Sequence, residues 1–170
     1  MVHVTAATDA TISNPVLAIG RPLRQRLLPL LLASALFGTA HAASPTLNLD
    51  AYKGKVVYVD FWASWCGPCR QSFPWMNDLQ AKYGSRGLQI VGVNLDAKDA
   101  DARKFLSENN GNFLLAFDNK GATPKLYGVK GMPTSYLIDR EGRIVSEHTG
   151  FNFSKTAGLE KEIEKLLENK

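Results

Sequence analysis

Short apolar runs alternate with amphipathic stretches along residues 56–167, and this pattern predicts strands alternating with helices. The near-continuous apolar run at 56–62 is rich in β-branched residues, which is typical of a strand buried on both faces in a parallel sheet, and 88–94 predicts the next strand. A shorter run at 113–117 predicts a third strand. Three stretches have apolar residues at helical spacing: 69–83 with Phe73, Met76, Leu79 and Ala81 facing inward, 99–109 with Ala102, Phe105 and Leu106, and 154–167 with Leu159, Ile163, Leu166 and Leu167.

The C-terminal part of the chain predicts a hairpin followed by a helix. Segments 134–138 and 142–148 flank a tight turn that ends in Gly142, so we expect them to pair as antiparallel strands. Ser154 is expected to cap the final helix. Parallel strands joined by helices, then a hairpin and a closing helix, predict an α/β fold: a three-layer α/β/α sandwich with a mixed sheet.

The N-terminal segment predicts export. Arg21, Arg24 and Arg26 precede an apolar stretch at 27–37, and a small-x-small cleavage pattern follows at 40–42. We therefore divide the chain into an N-terminal extension with a signal peptide (1–42), a short linker (43–48) and one globular domain (49–170). An uncleaved membrane anchor is the alternative, although the stretch is shorter than the ~17–25 residues of a spanning helix. In both cases the domain is expected outside the cytoplasm, in the periplasm or an equivalent compartment.

Composition and charge indicate which classes of function are compatible with the chain. With 170 residues, 45% of them hydrophobic, the chain can bury a core without a stabilising disulfide. The formal charge of +4 owes much to the arginines of the leader, and the domain has no basic run interleaved with aromatic residues. This excludes a nucleic-acid partner. The even mix of charges favours a monomer.

The only two cysteines, Cys66 and Cys69, are the strongest chemical signal in the chain. They follow the first predicted strand directly, and Gly67 with Pro68 suits a sharp turn from strand to helix. Cys66 is then expected at the N-terminus of a helix, where unpaired backbone N–H groups favour the thiolate. We predict that Cys66 is the nucleophile and that Cys69, facing the core, is the resolving thiol.

A carboxyl group interrupts the apolar strand before the cysteines. Asp60 would be costly to bury in charged form, so a buried carboxyl there is expected to have a raised pKa. The alternative is a solvated aspartate at the end of the strand.

The stretch Asp60-Phe61-Trp62-Ala63-Ser64-Trp65-Cys66-Gly67-Pro68-Cys69 resembles the active site of thioredoxin. Pro74 matches the proline of the kinked active-site helix of that family, and 121–134 resembles its short helix, turn and cis-proline strand. Between Asp96 and Pro133 the chain has about one helix and one strand more than thioredoxin. This insertion is similar to the TlpA-like branch, which includes ResA and the DsbE/CcmG proteins.

The resemblance implies roles for individual residues. Asp60 would accept the proton of Cys69, and the bond before Pro133 would be cis. Gly92 stands where thioredoxin has a lysine, which would make Asp60 harder to ionise. Asp96 is interpreted as a loop cap and His148 as a strand residue without a catalytic role. The residues expected to contact substrate are Trp65, Gly67, Pro68, Met132, Pro133 and Thr134, although Met132 could equally fill the core.

These features predict an exported thiol-disulfide oxidoreductase that reduces disulfides in periplasmic proteins, as relatives do in cytochrome c or copper-site assembly. It would need no cofactor beyond the redox-active Cys66–Cys69 disulfide. Its electrons would come from a membrane donor of the DsbD/CcdA type. A general oxidase or isomerase is the first alternative, and a copper- or zinc-binding thiol module is a weaker one, because two thiols fall short of four ligands. A peroxidase and an inert structural disulfide are weaker still.

Overall fold

The computed structural model describes residues 47–169. The predicted signal peptide and most of the predicted linker lie outside the described residues, so these domain boundaries stay predictions. None of the helices within residues 47–169 is long and apolar enough to cross a bilayer.

A five-stranded mixed sheet forms the centre of the domain. Its strands are β1 (Val56–Trp62), β2 (Leu88–Asn94), β3 (Leu114–Phe117), β4 (Thr134–Ile138) and β5 (Ile144–Thr149). They lie side by side in the order β3-β2-β1-β4-β5. The pairs β1–β2 and β2–β3 are parallel, whereas β1–β4 and β4–β5 are antiparallel. The predicted mixed sheet and hairpin are confirmed.

Helices cover the two faces of the sheet unequally. The helices are α1 (Gly67–Tyr83), α2 (Asp99–Glu108), α3 (Ala122–Tyr127) and α4 (Phe153–Glu168), with short 3-10 helices at Leu49–Tyr52 and Gly84–Arg86. Buried side chains of α1, α2 and α4 form one core with Val56, Tyr58 and Trp62 of β1. The alternate β1 residues, Val57 and Phe61 among them, form the second core with residues of α3 and of Leu49–Tyr52. The predicted three-layer sandwich is confirmed.

Several predicted boundaries need correction. Helix α1 begins at Gly67 and not at residue 69, because Cys66 itself occupies the N-cap position. Ala81 is exposed, and the inward stripe continues instead through the buried Tyr83, four residues after Leu79. The cap of α4 is Asn152, whose side chain accepts a hydrogen bond from the backbone N–H of Ser154, so Ser154 lies inside the helix.

Strand ends also differ from the predicted ones. Strand β3 begins at Leu114, because Phe113 turns into the core and stacks edge-on against Phe73. Strand β5 begins at Ile144, because Arg143 belongs to the turn: its backbone N–H donates to the Asp139 side chain. Helix α2 ends at Glu108, with residue 109 as its C-cap.

An aromatic cluster holds α1 and α2 on the sheet beside the end of β1. The ring of Trp62 lies 4.9 Å from that of Phe73 and 5.0 Å from that of Phe105. Gly92 on β2 leaves room for this cluster. A Cβ atom at Gly92 would lie 2.9 Å from Phe113 Cε2 and 3.1 Å from Trp62 Nε1. Both rings are packed, so neither can move aside cheaply.

We expect Gly92→Ala to destabilise the domain by about 1–3 kcal/mol, because the added methyl group overpacks the aromatic cluster. The measurement is the free energy of unfolding of the oxidised protein in urea. Gly158→Ala is the matched control: position 158 is in the interior of α4 and its Cβ would meet nothing within 4 Å. That control should be stabilised by roughly 0.5–1 kcal/mol through helix propensity. Equal stability of Gly92→Ala and the parent protein would contradict the close packing.

Candidate functional site

Cys66 and Cys69 form a disulfide at the N-terminus of α1, with their Cα atoms 5.3 Å apart. Cys66 is the N-cap residue, and its Sγ accepts a hydrogen bond from the Cys69 backbone N–H at 3.2 Å. This places the Cys66 sulfur at the positive end of the helix dipole, where a thiolate is stabilised. Cys66 is 5% exposed, whereas Cys69 is fully buried. The geometry supports Cys66 as the attacking sulfur and Cys69 as the resolving one.

The residues around the disulfide divide into exposed and buried ones. Trp65 is 72% exposed beside Cys66, whereas Trp62 is fully buried in the aromatic cluster, as expected for a core residue. Gly67 and Pro68 form the exposed first turn of α1. An open cavity of about 460 Å³ lies between Trp65 and α2, and its lining combines Ser64, Trp65 and Phe105 with the charged Arg70, Asp101, Lys104 and Glu108.

The segment before β4 contains the predicted cis bond. The Met132–Pro133 peptide is cis, as the resemblance implies. Met132 is half-buried and packs against the core cluster that includes both cysteines. Thr134 is buried and donates from Oγ1 to the Gly131 carbonyl at 2.7 Å, so any contact with a substrate would fall to its backbone. The Pro133 carbonyl accepts a hydrogen bond from the Gly150 N–H at 2.8 Å.

Asp60 is a buried carboxyl group without a hydrogen-bond partner on Oδ2. It is 2% exposed, so the alternative of a solvated strand-end aspartate is wrong. Its neighbour across the β1–β2 pair is Gly92, which supplies no cation. Burial raises the pKa of the Asp60 carboxyl well above its usual range, because the charged form loses its hydration.

A second buried carboxyl, Asp96, fixes the loop that leads to Cys66. Its side chain accepts hydrogen bonds from the Ser64 backbone N–H and the Ser64 hydroxyl, both at 2.9 Å. It also accepts one from Asn94 Nδ2 at 2.8 Å. The interpretation of Asp96 as a loop cap is confirmed. Sequence reasoning did not identify Ser64 as the partner of Asp96, and the only indication was the position of Ser64 two residues before Cys66.

Sequence reasoning also missed a polar pair beside Asp60. The Tyr58 hydroxyl donates to Ser135 Oγ at 2.7 Å, and both residues are buried. Ser135 lies directly opposite Asp60 in the β1–β4 pair, and His148 lies opposite Ser135 in the β4–β5 pair. Three polar side chains therefore cross the sheet in one row. The sequence signal of this row is a polar residue within each of the three predicted strands, namely Asp60, Ser135 and His148.

Metal ligands are not grouped in the described part of the chain. Among residues 47–169, no cluster of three or more His, Cys, Asp or Glu side chains could hold a metal ion.

Comparisons with known proteins agree with this architecture. The sequence profile of the Redoxin family matches residues 34–167. The thiol-disulfide oxidoreductase ResA of Bacillus thuringiensis subsp. konkukian is 38% identical over 104 residues, which cover 61% of this chain and 60% of ResA. The chain thus matches about three fifths of the length of this curated relative.

Solved structures give the same result. A proposed thiol:disulfide interchange protein DsbE from Chlorobium tepidum is 60% identical with a TM-score of 0.69, covering 70% of this chain and 84% of that one. StoA from Bacillus subtilis is 28% identical with a TM-score of 0.55, covering 62% and 81% of the two chains. The resemblance to the thioredoxin superfamily is confirmed.

We expect Asp60→Asn to be more stable than the parent protein at pH 8, by at least about 1 kcal/mol, and nearly equal to it below pH 4. The native state keeps Asp60 protonated while the unfolded state ionises, so the parent loses stability as pH rises above the unfolded pKa. The loss ends once the pH exceeds the raised native pKa. The measurement is urea unfolding of the oxidised protein across this range, with the exposed Asp78→Asn as control. A difference that does not change with pH would contradict a protonated Asp60.

We expect Asp96→Asn to destabilise the protein by about 1–3 kcal/mol, because its amide group would face the donors of Ser64 or Asn94. Loosening this loop should also change the rate at which reduced Cys66 reacts with iodoacetamide. Both quantities are measured beside Ser64→Ala, which removes the hydroxyl bond and retains the backbone one. Parent-like stability and alkylation rate in Asp96→Asn would rule out this role.

Proposed function

Because this chain belongs to the Redoxin family, within the ResA- and DsbE-like branch of the thioredoxin superfamily, we propose that it is a thiol-disulfide oxidoreductase. The observation that carries the proposal is the disulfide at the N-terminus of α1, with Cys66 5% exposed and Cys69 fully buried. A structural disulfide across so short a loop would restrict the unfolded chain little. The position of the pair therefore favours a redox-active disulfide over a structural one.

In the reduced protein, the Cys66 thiolate attacks a substrate disulfide. One substrate sulfur leaves with an electron pair, and a mixed disulfide joins Cys66 to the other. Asp60, which is protonated in the resting native state, first releases its proton to water. The Asp60 carboxylate then takes the proton of Cys69, and the Cys69 thiolate attacks Cys66. This releases the second substrate thiol and closes the Cys66–Cys69 disulfide. Two electrons have passed from the protein to the substrate.

Asp60 suits the role of proton acceptor for a physical reason. A general base needs a pKa above the ordinary value of a carboxyl group to hold a proton at the working pH, and burial raises the pKa of Asp60 well above that value. With Gly92 opposite, no cation counters this effect.

Substrate docking would use the surface around the disulfide. Trp65 offers a flat apolar contact beside Cys66. The backbone of Met132 would pair with an extended substrate segment, as in strand addition to a sheet edge. Gly67 and Pro68 would admit the substrate backbone close to the sulfur, since they carry little side-chain bulk.

We propose reduction as the direction, since the Gly-Pro between the cysteines matches thioredoxin, a reductant. The substrates would be disulfide-bonded proteins outside the cytoplasm, and a membrane protein of the DsbD/CcdA type would return the electrons. Cytochrome c or copper-site assembly is the pathway that the ResA- and DsbE-like branch suggests. The protein would act as a monomer with no cofactor other than its own disulfide.

The reduction potential of the Cys66–Cys69 pair tests the direction. We expect a value below about −200 mV, closer to the roughly −270 mV of thioredoxin than to the roughly −120 mV of DsbA. The measurement is the fraction of reduced protein after equilibration in glutathione or dithiothreitol buffers. A potential above about −150 mV would favour the oxidase or isomerase alternative.

A trapping experiment tests the activity itself. Cys69→Ala should accumulate mixed disulfides with exported proteins, because nothing resolves the bond to Cys66, whereas Cys66→Ala should accumulate none. Equal recovery from the two variants, or no adducts from either, would contradict a protein-disulfide substrate. Protection of the parent thiols from alkylation by Zn²⁺ or Cu⁺ would favour the metal-binding alternative.

A further inference from the structure

A cavity of about 450 Å³ opens between the β4–β5 hairpin and the N-terminal part of α4. Its inner wall includes the buried residues Tyr58 and Ser135. Its mouth is formed by exposed residues, including Asn152, Ser154 and Lys155. The cavity therefore connects solvent with two hydroxyl groups of the protein interior.

The inner wall lies beside Asp60. Ser135 is its direct partner across the antiparallel β1–β4 pair, where side chains approach to about 4.5–5.5 Å between Cβ atoms. Tyr58 lies two residues before Asp60 on the same face of β1. Burial, and after it the neighbouring Asp60 carboxyl group, raises the pKa of the Tyr58 phenol. Tyr58 and Ser135 thus neighbour Asp60 in the sheet and also line the cavity, whereas Asp60 Oδ2 has no hydrogen-bond partner in the oxidised protein.

The hydrogen bond between these hydroxyl groups leaves Ser135 ready to donate. The Tyr58 hydroxyl donates a hydrogen bond to Ser135 Oγ at 2.7 Å. A serine hydroxyl carries one proton and can accept two hydrogen bonds, so Ser135 keeps its own proton and one further lone pair. It can receive a proton from one side while it passes another to a water molecule on the other side.

The proposed mechanism requires such a connection. In each cycle Asp60 takes one proton and must lose it again, yet the residue is buried and its Oδ2 has no partner. Direct exchange with bulk water is therefore blocked.

We propose that the Ser135 hydroxyl, oriented by Tyr58, relays protons between the Asp60 carboxyl group and water in the cavity. The proposal rests on the proposed function. The Asp60 carboxyl group donates its proton to Ser135 Oγ while Ser135 donates its own proton to a cavity water, and the resulting Asp60 carboxylate then takes the proton of Cys69. Ser135 is a neutral hydroxyl before and after the transfer, the released proton leaves with the water, and no electron moves in this step.

Other titratable groups face this route. Cys69 is on α1, and Tyr58 precedes Asp60 on β1. Glu147 and His148 of β5, together with Lys155 and Glu162 of α4, line the cavity. His148 Nε2 lies 3.3 Å from Glu162 Oε2.

The test follows the two steps of dithiol oxidation separately. The reduced full-length protein is mixed in a stopped-flow instrument with 5,5′-dithiobis(2-nitrobenzoate). The first release of thionitrobenzoate reports attack by Cys66, and the second reports resolution by Cys69. We expect Ser135→Ala to slow the second release about tenfold, because a weaker relay reduces the general-base contribution of Asp60 to resolution by Cys69. The first release should change less than about twofold, since Cys66 attack needs no proton from this route.

A relay predicts rescue, which a packing defect does not. Imidazole is small enough for the cavity and should accelerate the second release of Ser135→Ala in proportion to its concentration. Tyr58→Phe should give a smaller slowing, because Ser135 remains. Ser154→Ala is the matched control: it removes a serine hydroxyl at the mouth of the same cavity and should behave like the parent protein.

The outcomes are distinguishable. An unchanged rate of the second release in Ser135→Ala overturns the relay. A slower second release also overturns it if imidazole does not restore the rate and the reduction potential of the Cys66–Cys69 pair has shifted. A parent protein that releases no thionitrobenzoate at all would overturn the proposed function and the relay with it.

Discussion

Burial of β1 on both faces is the constraint on which the site depends. All seven residues of the strand are buried, and alternate side chains enter the two cores of the domain. Burying each large apolar side chain contributes about 1.5–3 kcal/mol, so the strand cannot shift its register by one residue without losing both cores. The position of β1 then fixes the loop that follows it, and through that loop the start of α1 at Cys66.

The same burial determines what the carboxyl group on β1 can do. Asp60 lies among apolar neighbours because its register places it there, opposite Gly92 on one side and Ser135 on the other. An unpartnered carboxyl in that position weakens the fold at neutral pH. Its presence is understandable if the proton chemistry of the cysteines requires a group with a raised pKa at this depth.

Asp60 and Asp96 show how the environment gives one residue type two roles. Asp96 is equally buried, but the two donors of Ser64 and the amide of Asn94 surround its carboxylate. It can hold the active-site loop rigidly because these donors occupy both of its oxygens. Asp60 has one oxygen without any donor and is therefore suited to exchanging a proton. Asp96 thus supports the active-site loop, whereas proton transfer is the role proposed for Asp60.

The sequence by itself determined the order of the elements, the mixed sheet and the cysteine pair, because apolar periodicity and the turn chemistry of Gly67 and Pro68 are local. It also indicated a buried Asp60, since a strand that is apolar on both faces carries its single carboxyl group into the interior with its neighbours. Only the tertiary structure decided that Ser135 faces Asp60. That pairing joins residues 75 positions apart along the chain, and it depends on the register of β4 against β1, which no local pattern encodes.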